Sequence, residues 1–266
     1  MFLITFYTSK IMKKTMKFFA VAVMASLAAV ACNKDNGGNK DNGGNNNGGE
    51  TEGVVIDGNF DDWAKLDAAD VVTSIIDAEE SAKALRTLKF YDTKEMLYGY
   101  AEVDPAEVGT AYNEAEKWDL GKGQPRPLRF VWDLDNNIET GGNYNLFQDA
   151  MGGDVLLDLY IYADAGKVKL GWSEFWKFVA EDGTDFLGTD AISQETALDN
   201  MIVTRENLAG SLVKGWYAVE FAIDKVNFPG LDAAGTVKVG GALLNDGWGV
   251  PGVCPSTGEP MDLNIK

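Results

Sequence analysis

Histidine is missing altogether from this 266-residue chain. Its absence excludes the Ser-His-Asp triad, the Cys-His pair, histidine-ligated haem and zinc sites that depend on imidazole. Any general acid–base work falls to carboxylates, lysine or tyrosine. Cysteine is nearly as scarce, with Cys32 and Cys254 alone. Basic residues are few: 23 lysines and arginines face 41 acidic residues, for a formal charge of −18. Four of those lysines (Lys10, Lys13, Lys14 and Lys17) fall in residues 1–32, which hold no acid. The rest of the chain therefore has 19 basic and 41 acidic side chains, a balance of −22. Such a surface repels phosphate backbones, which excludes nucleic acid as a natural partner. It suits Ca²⁺, a cation that takes oxygen ligands. A membrane-length apolar run is also lacking, since the N-terminal run Phe18–Val30 has 13 residues where a spanning helix needs about 20.

That short run has the layout of a secretory signal. Lys13, Lys14 and Lys17 precede it, and the small residues Ala29 and Ala31 flank Val30 just before Cys32. The start of translation is open among Met1, Met12 and Met16. Leu-Ala-Ala-Val-Ala-Cys resembles a bacterial lipobox, and the resemblance implies that Cys32 is lipidated, with palmitate-type chains, and becomes the mature N-terminus. Cys254 is then left unpaired and no disulfide is expected. Asn33–Gly53 is rich in Asn and Gly, cannot bury a core and reads as a tether. About 20 flexible residues reach roughly 25 Å. Lys34-Asp35 resembles the export signal of surface lipoproteins in Bacteroides-type bacteria. The expected organisation is a signal peptide over 1–31, a lipidated Cys32 with its linker over 32–53, and one domain over 54–266.

From Val54 onward, β signals dominate and helical periodicity is scarce. Leu85–Tyr91 and Met96–Val103 flank a four-residue turn, and Val155–Ala163 and Lys167–Trp172 flank Asp164-Ala165-Gly166, so both pairs read as hairpins. Leu128–Leu134, Trp216–Ile223 and Val237–Leu244 read as further strands. In Met96–Val103 the residues Leu97, Gly99, Ala101 and Val103 share one face; in Trp216–Ile223 so do Tyr217, Val219 and Phe221. Strands at this spacing without interleaved helices predict an all-β, antiparallel sandwich.

Asp133-Leu134-Asp135-Asn136-Asn137 closes a strand, and its alternate residues Asp133, Asp135 and Asn137 could turn oxygens toward one ion, with help from Asp154. The loop is not an EF-hand, because Ile138 stands where the sixth-position glycine belongs. The alternative is an Asx-rich turn without metal. Asp57-Gly58-Asn59 with Asp61 and Asp62 reads as a solvated turn beside a core tryptophan, Trp63. Trp132 and Trp216 also read as core. Trp118 stands in a charged segment, Trp172 and Trp176 flank Glu174, and Trp248 lies in a glycine-rich loop after Asn245. These four are the candidate exposed platforms, with Arg126, Arg129 and Asn245 as polar partners. An indole covers the flat C–H face of a pyranose and leaves its hydroxyls to such groups.

Four landmarks in order resemble family 9 carbohydrate-binding modules and related β-sandwiches that include DOMON domains. They are Val55–Trp63, Leu88–Asp92 with Met96–Tyr98, Val131–Asn137 with Thr140–Gly142 and Gly152–Asp154, and Gly215–Ile223 with Leu244–Gly247. The resemblance spans most of residues 54–250. It implies a sandwich with structural Ca²⁺ and an aromatic sugar site, and hence a non-catalytic glycan-binding lipoprotein of the bacterial outer membrane, working beside other glycan-uptake proteins. The segments Ala106–Arg126 and Glu181–Asn207 depart from the family pattern by their length. The competing expectations are a structural or adhesive lipoprotein that binds protein partners, and a glycoside hydrolase, which would need two carboxyls set across a cleft.

Overall fold

Alternating apolar and polar residues become strands wherever one side faces a core. A computed structural model describes residues 53–75, 84–141, 146–147, 151–177, 202–255 and 259–266, all within one unit, Glu50–Lys266. The signal segment, Cys32 and linker residues 33–52 lie outside the described residues. Eleven strands follow in order: β1 (Val71–Ile75), β2 (Leu85–Asp92), β3 (Met96–Val103), β4 (Arg126–Asp133), β5 (Val155–Asp164), β6 (Lys167–Lys177), β7 (Leu208–Val213), β8 (Trp216–Asp224), β9 (Thr236–Leu243), β10 (Gly252–Cys254) and β11 (Met261–Asn264). Among the described residues the helical pieces are three-residue 3₁₀ turns, and no helix is long and apolar enough to cross a membrane.

The sheet runs β1-β2-β3-β8-β7-β6-β5-β4-β9-β10, with β11 sharing the β9 edge with β10. Every strand pair is antiparallel. The two ends of this path nearly meet. Ala84 N–H donates to the Pro251 carbonyl at 3.4 Å, and the buried Cys254 thiol donates to the Ser74 carbonyl at 3.7 Å. The all-β expectation therefore holds, as a sheet curled almost into a barrel-like sandwich. Cys254 is a free thiol, and burial pushes its pKa up to about 11.

The inward faces are those that the alternation marks. Leu97, Ala101 and Val103 of β3 meet Val219 and Phe221 of β8 in the main core, with Leu128, Phe130 and Trp132 of β4. Gly99 lies opposite Phe221 in the β3–β8 register, and a Cβ there would fall 2.1 Å from the Phe221 ring. The missing side chain is thus the space that the ring fills. The outward side of β3 and β8 forms a second cluster, in which Val54, Trp63, Tyr91, Tyr100 and Ala218 pack together. Glu220 of β8 is completely buried there. Its carboxylate accepts the Asp57 and Gly58 N–H groups at 2.9 and 2.7 Å and the Trp63 indole N–H at 3.0 Å. Gly58 makes this turn at φ +79. The first and fourth sequence landmarks are thereby joined through one side chain.

Trp63 and Trp132 are core residues as expected. Trp216 is not: it is half-exposed at the β7–β8 turn, with the Arg86 guanidinium 4.2 Å over its ring. The strands beyond those expected are β1, β7, β10 and β11. They are short, and three of them pair at sheet margins, where alternation is weakly enforced.

Candidate functional site

A bulge in β6 builds the candidate site. Tyr160 faces Trp172, but the next pair is Ile161 with Leu170, which leaves Gly171 as an extra residue. One inserted residue reverses the alternation of a strand. Leu170 therefore points into the main core, while Trp172, Glu174 and Trp176 share the outer face with Tyr160. The Gly171 carbonyl accepts Arg205 Nη2 and Nε at 2.7 and 3.1 Å. Where its Cβ would stand, Pro125 and Tyr112 approach to 2.9 and 3.2 Å.

A loop lies over this outer face. Its neck closes where the Thr110 and Ala111 N–H groups donate to the Gly123 carbonyl at 2.7 and 3.0 Å. Gly123 turns the chain at φ +75. Asn113 N–H donates to the buried Gln124 side chain at 2.8 Å, and the Asn113 side chain caps the following 3₁₀ turn at Ala115 N–H. Gly109 bridges to Tyr162 of β5. This is the long segment between β3 and β4, and it carries Trp118.

The aromatic side chains stack in depth. Tyr160 and Trp172 are parallel, with ring centroids 4.0 Å apart. Trp118 meets both edge-on, at 5.8 and 5.4 Å. Tyr112 lies 6.1 Å from Trp172 and stacks on Tyr162 at 5.7 Å. Lys117 Nζ is 5.5 Å from both the Trp118 and the Trp172 rings. Trp118 is 52% exposed, whereas Trp172 is 3% exposed. The expectation of an exposed Trp172 is thus corrected: the bulge turns it outward, but the loop and Trp118 cover it. Around Trp118 the chain leaves an open depression lined by Glu114, Ala115, Glu116, Lys117, Asp119 and Lys122. Lys122 pairs with Glu116 at 2.9 Å and Asp119 at 3.2 Å, and Lys117 with Glu114 at 3.4 Å.

Beside the aromatic row, a charged row crosses β4, β5 and β6. Arg129 faces Asp158 and Asp158 faces Glu174 in the registers. The Arg129 guanidinium grips Asp158 through Nε at 2.7 Å and Nη2 at 2.6 Å. Tyr160 donates its hydroxyl to Glu174 at 3.2 Å. Burial raises the Glu174 pKa, and the Asp158 charge adds to the rise. The Trp172 indole N–H interacts with this carboxylate but stays outside hydrogen-bond geometry. Asp158 and Tyr160 escaped sequence reading; the signal for Asp158 is a charge inside the apolar run Val155-Leu156-Leu157-Asp158-Leu159.

The other candidates distribute as follows. Trp176 is half-buried and packs on a separate apolar cluster with Val131, Phe147 and Leu156. Trp248 is 47% exposed. Asn245 is committed to its own loop: its side-chain oxygen accepts Gly247 and Gly249 N–H at 3.0 and 2.9 Å. Arg126 Nη1 donates to the Leu120 carbonyl and, at 3.2 Å, to the Gln124 carbonyl.

The acidic turn after β4 gathers three of its four expected ligands. Oxygens of Asp133, Asp135 and Asp154 lie within 4.8 Å of one another. Asp133 accepts Gly152 and Asn137 N–H groups, both at 3.2 Å, and Asp154 accepts Leu134 N–H at 2.7 Å. Burial raises the pKa of Asp133 and pushes that of Asp154 up to about 6. Among the described residues no ammonium or guanidinium pairs with the three. A divalent cation fits the oxygen donors and would supply the missing positive charge. The Asn137 side-chain oxygen instead accepts Glu139 N–H at 3.1 Å. The loop is thus an Asx turn whose carboxylates converge.

No protein-family model matches the chain, and no curated protein matches it.

Proposed function

We propose that this protein is a lipid-anchored, non-catalytic glycan-binding protein of the bacterial outer membrane, with Trp118 as its sugar platform. The observation that carries the reading is a half-exposed indole held rigid from below by the stacked Tyr160 and Trp172 and ringed by carboxylates and lysines. A pyranose placed on that ring buries its C–H face against carbon, while its hydroxyls meet Glu114, Glu116, Asp119 and Lys122. The carboxylates nearest to it in depth are already engaged, Asp158 by Arg129 and Glu174 by Tyr160, which supports binding over hydrolysis. The lipobox-like Leu-Ala-Ala-Val-Ala-Cys at Leu27–Cys32 and the Asn/Gly tether support the anchor. The acidic turn holds a structural Ca²⁺ on Asp133, Asp135 and Asp154.

Native gels cast with plant and host polysaccharides test the reading. Wild-type protein is expected to be retarded by at least one of them, and Trp118→Ala to lose about tenfold to a hundredfold in affinity, as for a central tryptophan anchor. A full set of blank gels would overturn it. The burial of Trp172 favours the adhesive alternative, in which the same face contacts protein; retardation by glycan with loss in Trp118→Ala decides against it. Release of reducing sugar on incubation would replace binding by hydrolysis.

A further inference from the structure

Trp248 is displayed in a way that packing does not require. Its backbone has φ +61, in the left-handed region, and it is flanked by Gly247 and Gly249, either of which would take that conformation freely. Four hydrogen bonds hold the loop in this form. Asn245 N–H donates to the Gly249 carbonyl at 2.9 Å and Trp248 N–H to the Asn245 carbonyl at 3.2 Å. The Asn245 side chain takes the Gly247 and Gly249 N–H groups. The result is an exposed indole on a fixed backbone, with no ring contact to another aromatic among the described residues.

This loop and the Trp118 loop emerge beside one another. Leu244 N–H, at the root of the first, donates to the Pro127 carbonyl at 3.0 Å, where the Trp118 loop has just returned into β4. Arg126 lies between the two. Its Nη1 contacts the Leu120 carbonyl, two residues after Trp118. Its charge is in the field of Asp246, two residues before Trp248. Among the described residues its Nε and Nη2 have no protein acceptor. Apolar ring, guanidinium and apolar ring thus follow one another along one end of the sheet. A glycan chain repeats in the same alternation, with C–H faces on its sugar rings and hydroxyls between them.

We infer that the ligand is an oligosaccharide segment of several units, with one sugar on Trp118, another on Trp248 and Arg126 donating to hydroxyls between them, rather than a single sugar. This rests on the proposed glycan-binding reading and adds to it the ligand length and a second platform.

Calorimetric titration of the intact protein with cello-, xylo-, manno- and malto-oligosaccharides of one to six units tests it. In at least one series the affinity is expected to rise tenfold or more with length. Trp248→Ala and Trp248→Gly should both abolish that rise while leaving the shortest bound sugar unaffected, and Trp118→Ala should weaken binding at every length. Both Trp248 variants change an exposed side chain, and the glycine variant also relieves the left-handed backbone, so the melting temperature of Trp248→Gly should not fall below the wild-type value. Binding that is independent of length, or a rise that survives both Trp248 variants, would overturn the inference and leave the glycan reading standing. No binding in any of the four series would also overturn it, and the polysaccharide gels then judge the glycan reading separately.

Discussion

Glu174 is a carboxylate that the sequence places next to two tryptophans and the structure places under cover. Burial and the neighbouring Asp158 charge raise its pKa above the ordinary 4.5. A folded-state pKa above the unfolded one means that the folded protein holds the proton more tightly. The stability from this protonation is therefore complete below about pH 4.5 and is lost as pH rises through the folded value. Glu174→Gln keeps an oxygen for the Tyr160 hydroxyl and has no charge to bury. We expect it to be at least as stable as wild type at neutral pH, and to flatten this part of the pH dependence. Urea midpoints at pH 7 and pH 5 measure both; a variant that is less stable at pH 7 contradicts the account. At this same scale the sequence was a partial guide. A charged segment marked Trp118 as exposed and glycines marked Trp248 as exposed, because both are local signals. The burial of Trp172 depends on a loop some fifty positions away in the chain, which no local pattern reports.

The elements were legible where alternation is enforced from one side. β2, β3, β4, β5, β8 and β9 line the main core, and their limits fall within two residues of the sequence reading. β6 was cut short at Trp172 because the Gly171 bulge interrupts the alternation. A lone glycine within a strand pattern is the available signal for such a bulge. β7 was missed because Gly210 and Ser211 leave it little apolar contrast; Gly210 is nonetheless required, since a Cβ there would fall 2.6 Å from the Ala218 carbonyl. Between elements the most consequential contact is the Glu220 carboxylate with the turn at Gly58. Glu220→Ala leaves two N–H groups and the Trp63 indole N–H without their acceptor, and is expected to cost roughly 3 kcal/mol or more. A denaturant midpoint unchanged from wild type would contradict this.

At the scale of the whole molecule, the excess of negative charge becomes a matter of location. Among the described residues, three carboxylates converge at the end of β4 without a basic partner. If the proposed calcium binds there, a hundredfold excess over its dissociation constant is expected to add about 2.7 kcal/mol of stability, which for a domain of this size is a rise of roughly 5–10 °C in melting temperature. A chelator should reverse it, and Asp154→Asn should remove the response. Equal melting curves with and without the ion would remove calcium from the description. The general architecture was readable from the sequence because strands without interleaved helices admit few alternatives. The near-closure of the sheet was not, since it depends on the approach of its two ends, where Ser74 of β1 meets Cys254 of β10 across 180 positions of chain.

The Glu220 contact also has a mechanical side. The described chain enters through Val54, Trp63 and the turn at Gly58, and these are fastened to β8, in the interior of the sheet rather than at its margin. If the protein is held from its N-terminal side while its loops grip a ligand, tension enters through a buried carboxylate with three donors. It then spreads to the strands on both sides of β8, so that no edge strand is peeled away first.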